Sequence, residues 1–138
     1  MVVIYPVIFT AKHDAKDTYL VEIPDIEGVT EGYGLKDAYE MARDYIGNLG
    51  LDLGDEEMPK ASAIGDIDIT NGAFTGKGET FVSLVDTDLD VFRRKANARA
   101  VRKNVSLPSW LSDAADAADL NISRVLQEAL KEKLGIAE

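Results

Sequence analysis

The spacing of apolar residues alternates between two periods along this chain, and each change of period marks an element. Residues 2–10, VVIYPVIFT, are rich in β-branched and aromatic side chains and read as a buried strand, with Pro6 indicating an edge or a bulge. After the polar turn KHDAKD, the run TYLVEIPD alternates and predicts a second strand in a hairpin with the first. IEGVTEGYG carries Gly28, Gly32 and Gly34 and predicts a short third strand between turns. Period two then gives way to the helical period. Leu35, Ala38, Met41, Ala42, Tyr45, Ile46 and Leu49 share one face, and Gly47 and Gly50 are expected to fray the helix. Residues 54–78 hold acids, glycines and Pro59 without a clear period, and IGDIDIT among them reads as a minor strand. Phe81 to Val85 predicts a further strand. Three strands, a helix and a strand define an α+β unit with one main helix on a sheet.

Alternation returns in AVRKNVSLP. Val101, Lys103, Val105 and Leu107 lie on one side of the predicted strand, with Arg102, Asn104 and Ser106 on the other. PSWLSDAADAAD then places Leu111, Ala114, Ala115 and Ala118 on one helical face. In NISRVLQEALKEKLG, Asn121 reads as an N-cap, Ile122, Val125, Leu126, Ala129 and Leu130 as an apolar stripe, and Gly135 as a stop. One strand and two short helices cannot bury these faces alone. The pattern therefore predicts a homodimer, its strands paired antiparallel across a two-fold axis. Val101, Val105, Leu107, Leu111, Val125 and Leu126 would form its core.

Charge adds a boundary. The 138-residue chain has a formal net charge of −10. Residues 1–92 carry 19 Asp/Glu against 6 Lys/Arg, and residues 93–138 carry 6 against 9, so the two parts stand at −13 and +3. Arg93, Arg94, Lys95, Arg99, Arg102 and Lys103 fall in a carboxylate-free stretch. We read an acidic domain over residues 1–92, a basic linker over 93–98 and a second domain over 99–138. This asymmetry fits two partners, one of them a polyanion.

Candidate chemistry is sparse. The chain has no cysteine, so disulfides, thiolate zinc sites and thiol nucleophiles are excluded. His13, the sole histidine, lies in a polar turn without the partners of a triad or a zinc site. GAFTGKG has the wrong spacing for a phosphate loop, and Gly78 stands where Ser or Thr is required. Asp86, Asp88 and Asp90 invite a two-metal nuclease reading, against which a solvated strand end is preferred. No catalytic residue, metal or cofactor is predicted, and the chain reads as a non-enzyme. The apolar N-terminal run lacks a basic leader and is too short to span a bilayer, which predicts a cytoplasmic chain with no membrane partner.

Two groups of residues resemble known families. Tyr5, Pro6, Ile8 and Phe9, then Ile23, Pro24, Asp25 and Gly28, then Thr30, Gly32 and Ala38 resemble the N-terminal domain of HicB antitoxins. Val29 departs from that pattern, where many relatives have cysteine, as do Tyr33 and Gly34, where Asp-Thr or Asp-Ser is commoner. From Arg99 to Leu134, the strand, Leu-Pro step, helix, turn and capped helix resemble the ribbon-helix-helix DNA-binding proteins.

The resemblance implies a truncated RNase H-like sheet-and-helix domain that blocks a HicA-type mRNA-cleaving ribonuclease toxin. It also implies a C-terminal ribbon-helix-helix dimer that represses its own operon by binding operator DNA. Under it, Arg102, Asn104 and Ser106 read bases in the major groove, where Arg suits guanine and Asn suits adenine. Ser123 and Arg124 at the free N–H groups of the last helix, with Arg99 and Lys103, would hold phosphates. Toxin-contacting residues are not singled out, since Asp14, Asp17, Glu22 and Glu31 all qualify. A rival reading keeps the DNA-binding tail and makes the N-terminal domain a sensor of a small ligand.

Overall fold

The computed structural model describes residues 1–136, so the last two positions of the 99–138 domain lie outside the described residues. Two compact units are present, Met1–Arg99 and Ala100–Glu138. The fold is α+β, with a four-stranded antiparallel sheet and four α-helices among the described residues.

In the first unit, β1 (Val2–Lys12), β2 (Thr18–Ile23), β3 (Gly28–Tyr33) and β4 (Gly78–Asp88) form a sheet in the order β3-β2-β1-β4. β1 and β2 make the expected hairpin, in register from Ile8↔Glu22 to Ala11↔Tyr19. β4 pairs with β1 along its full length, from Val2↔Asp88 to Lys12↔Gly78. Because β2 ends at Ile23, the start of β1 has β4 as its ladder partner, and Pro6 sits in that half-edge stretch. One pleat face, with Tyr5, Val7, Phe9, Val21, Ile23 and Val85, packs on Ala38, Ala42 and Ile46 of helix α1 (Leu35–Asp52). Gly34, at φ 91°, provides the left-handed turn into this helix, and Asp37 accepts the Tyr33 N–H at 2.8 Å.

Helix α2 (Leu89–Ala96) follows β4 directly, and Asp88 caps it by accepting the N–H groups of Asp90 and Val91 at 3.0 and 3.3 Å. Its presence corrects two expectations. Gly47 and Gly50 do not fray α1; both are buried, and a Cβ on Gly47 would collide with the Phe92 ring and one on Gly50 with the Leu89 side chain. The glycines are a notch into which α2 seats Leu89 and Phe92. The stretch read as a basic linker over 93–98 is helical through Ala96. Arg93 belongs to the first unit, donating to the carbonyls of Gly50 (3.0 and 2.9 Å) and Leu53 (3.2 Å) and to Asp55 (2.6 Å). It thus closes the unsatisfied carbonyl end of α1. We expect Arg93→Ala to cost about 1.5–3 kcal/mol, the range for hydrogen bonds from a charged group, read as a lower denaturation midpoint.

Residues 64–70 form no strand; a short 3-10 turn, Ile64–Asp66, lies there instead. The long connection from α1 to β4 is a strap pinned by side chains. Tyr5 Oη donates to the Pro59 carbonyl at 2.5 Å, and the Ser62 N–H and hydroxyl donate to Asp25 at 2.8 and 2.5 Å. Farther on, the Ala73 N–H donates to Glu22 at 3.2 Å. Asp25 of the Ile-Pro-Asp stretch is therefore a clasp for the strap.

Burial, with Asp25 nearby as a second cause, raises the Tyr5 phenol above its ordinary value of 10.0. The native state then holds that proton longer than the unfolded chain. This stabilisation is present below the unfolded value and is lost as pH rises through the raised native one. Tyr5→Phe should remove that alkaline loss and lower neutral-pH stability by about 1 kcal/mol, which paired denaturant titrations at neutral and alkaline pH would show.

The second unit contains α3 (Ser109–Ala117) and α4 (Ile122–Leu134). Asn121 caps α4 through the Arg124 N–H at 3.1 Å, and Gly135 ends it in the left-handed conformation, as the sequence indicates. No described residue of this unit is buried.

Candidate nucleic-acid interface

Residues 100–108 carry no regular secondary structure within the single chain, and all are exposed. The strand expected here has no ladder partner in one copy. Val101 is 74% and Val105 58% exposed, with Leu107, Leu111, Val125 and Leu126 between 38% and 46%. Leu107, Leu111, Val125 and Leu126 line a cleft of about 270 Å³ whose walls, with Ala115 and Ile122 among them, are wholly apolar. Four of the six residues expected in a dimer core are thus brought together and left uncovered.

A second cleft, of about 640 Å³, is lined by Val101, Arg102, Lys103, Ser123, Leu126 and Gln127, among others. The structure thereby joins Arg102 and Lys103 to Ser123 at the start of α4, combining one expected base reader with two expected phosphate holders. Asn104 and Ser106 lie on the exposed segment outside it. Arg124 points along its helix, its Nε donating to Glu128 at 3.2 Å, with both side chains largely exposed. Exposed pairs four residues apart contribute only about 0.3–0.5 kcal/mol, so a phosphate can displace Glu128. Arg99 is exposed at the end of the first unit. Trp110, 71% exposed in the first turn of α3, was not singled out by its spacing; a bare aromatic after Pro108 is the one signal it gives.

Counting by compact unit alters the charge picture. Residues 1–99 hold 19 Asp/Glu against 10 Lys/Arg, a net −9, and residues 100–138 hold 6 against 5, a net −1. The second unit is not basic overall; its cations Arg102 and Lys103 are set apart from the acids Asp113, Asp116 and Asp119.

Asp86, Asp88 and Asp90 each have a separate structural task. Asp86 accepts from Arg43 Nη2 at 2.9 Å, and that hydrogen bond holds its carboxyl below the usual range. Asp88 caps α2, and Asp90 pairs with the N-terminal amine. No group of three potential metal ligands converges among the described residues.

No family model and no curated protein matches this chain. Among solved structures, it is similar to a chain of a toxin–antitoxin complex from Streptococcus pneumoniae. That match has a TM-score of 0.60 and 26% identity, covering 96% of this chain and 99% of the other. The HicB antitoxin of Burkholderia pseudomallei aligns at a TM-score of 0.44 and 21% identity over 99% of both chains. The class to which fold and comparison point is a component of a toxin–antitoxin system. The resemblance of Tyr5, Pro6, Asp25, Gly32 and Ala38 to HicB-type antitoxins agrees with that similarity to a component of a toxin–antitoxin complex. No helix among the described residues is long and apolar enough to cross a membrane.

Proposed function

We propose that this chain is a non-enzymatic type II antitoxin and autorepressor. Its first unit, a truncated RNase H-like domain, covers a small HicA-type ribonuclease; its second, a ribbon-helix-helix module, dimerises and binds the operator of its own operon in the cytoplasm. The observation that carries the reading is similarity over nearly the whole chain to a component of a toxin–antitoxin complex. Two others support it. The −9 unit suits a basic RNA-binding partner, since complementary charge speeds association. The second unit, with no buried residue among those described and an apolar cleft, needs a second copy to gain a core. The small-ligand alternative needs a concave apolar pocket in the first unit. The notches found there carry Asp52 in one and Glu22, Asp66 and Asp68 in another.

The test is growth. The open reading frame adjoining this gene is expressed alone, with the full chain, and with residues 1–99, a fragment that keeps the Arg93 contacts intact. Arrest relieved by both supports the reading; no arrest, or no relief by the full chain, defeats it. On DNA, Asn104→Ala should cost about 1–3 kcal/mol on the operator and relax one base pair per half-site. Arg124→Ala should weaken operator and scrambled DNA alike and flatten the salt dependence. Equal losses on both DNAs for Asn104→Ala would remove it from base reading.

A further inference from the structure

The sheet of the first unit is covered by α1 on one face and only partly on the other. On the outer face the strap reaches Ile8, which shares a notch with Gly72, Ile67 and Glu22. The β1–β4 half is left open: Val2 is 56%, Ile4 50% and Leu84 49% exposed. Alternation and register place the three on one side, with Val2 opposite Asp88, Ile4 opposite Asp86 and Pro6 opposite Leu84. Ile64, 40% exposed, lies in the turn Ile64–Asp66, which packs beside β4.

The strand bordering this patch is an edge. β4 is 11 residues long and has β1 as its ladder neighbour in the sheet. Arg43 Nε donates to the Asp86 carbonyl at 3.1 Å, which blunts the edge at one end. A long edge beside exposed apolar side chains is a place where proteins add a partner's strand. The other edge, β3, is shorter, at six residues, and the N–H of its Tyr33 is already taken by Asp37.

Charge decides what the occupant is. Asp66, in the turn packed beside β4, and Asp88, at the end of β4, bring negative charge to this side of a unit of net −9, while Asp86 between them in β4 is paired with Arg43. A second copy would bring the same carboxylates against them. A partner with Lys and Arg around an apolar centre is complementary. We infer that the outer face of the β1–β4 ribbon, centred on Ile4 and Leu84, docks a basic protein. Resting on the antitoxin reading above, that protein is the toxin. Apolar contact with Val2, Ile4 and Leu84 holds it, and the carboxylates steer its approach.

The test uses the full chain and the protein encoded by the adjoining reading frame, with binding measured by titration calorimetry and growth rescue in parallel. Leu84→Arg should weaken binding about 30-fold or more, the loss that marks a hot spot, and should abolish rescue while leaving operator binding intact. Tyr33→Arg, on the opposite edge, should bind as the wild type does. Asp66→Asn removes one of these charges from a side chain outside every ion pair among the described residues. It should slow association several-fold at low salt and leave dissociation unchanged. Wild-type affinity in Leu84→Arg, or loss in Tyr33→Arg alone, would overturn this face while leaving the antitoxin reading standing. A wild-type chain that binds nothing removes that reading, and this inference with it. If Leu84→Arg instead halves the oligomer formed by the chain alone, the occupant is a second copy and the basic partner is displaced from this face.

Discussion

Gly32→Val should destabilise the first unit by about 3 kcal/mol or more, at the top of the range for overpacking. A Cβ at Gly32 would lie 2.5 Å from both the N and the Cα of Ala38. Those are backbone atoms in the first turn of α1, behind an Ala38 side chain that is fully buried. A side chain in the way could rotate, but a helix backbone cannot without lifting α1 off the sheet, and with it Ala42 and Ile46. The spacing from Gly32 to Ala38 that marks the family resemblance thus has a mechanical meaning: β3 and the start of α1 touch backbone to backbone. Gly65→Ala is the matching control. Its Cβ would meet nothing within 4 Å, and its φ is not positive, so it should stabilise by about 0.4–1 kcal/mol through the unfolded chain. Urea denaturation should show a lowered midpoint at constant slope for Gly32→Val. An unchanged midpoint would mean that α1 does not cross β3 there.

The elements legible in the sequence were those whose residues carry their own local signal. β2, α1 and both C-terminal helices follow from apolar spacing, β1 from its β-branched and aromatic residues and β3 from its glycines, and Asn121 and Gly135 mark the ends of α4 locally. What was not legible depends on contacts between distant residues. The strap has no apolar period because Tyr5, Asp25 and Glu22, far away in the chain, hold it. Helix α2 was hidden by its own last turn. Arg93, Arg94 and Lys95 look like a linker until Leu89 and Phe92 are matched to the notch at Gly50 and Gly47. Arg93, Arg94 and Lys95 therefore count with the acidic unit, as does Arg99 at its end, and the apparent basicity of the tail goes with them. The open β1–β4 face was hidden for another reason: VVIYPVIFT is apolar on both parities, so its sequence does not reveal that only the part from Tyr5 to Thr10 is buried. At the candidate DNA site the alternation of residues 101–107 was readable, whereas the cleft shared by Arg102, Lys103 and Ser123 required coordinates.

Leu126→Asp should separate the two proposed activities, leaving toxin neutralisation intact while operator binding falls by more than about 100-fold, an effect near 3 kcal/mol. Leu126 lines both clefts of the second unit and is 38% exposed on α4. In one copy, an aspartate at this half-exposed site is hydrated and costs little. In the proposed dimer the same carboxylate would enter an apolar core without a partner, where desolvation outweighs every contact it could make. Because no described residue of the second unit is buried within one copy, its folding and its dimerisation should be one event. The wild-type chain should therefore show a helix-melting transition that rises with protein concentration. In Leu126→Asp that transition should be lost, while the denaturation midpoint of the first unit stays in place. Sedimentation would report a monomer, and the growth assay would still show rescue. A variant that stays dimeric and holds the operator as tightly as wild type would place the dimer core elsewhere, and with it the pairing of residues 101–107 that the base-reading assignment requires.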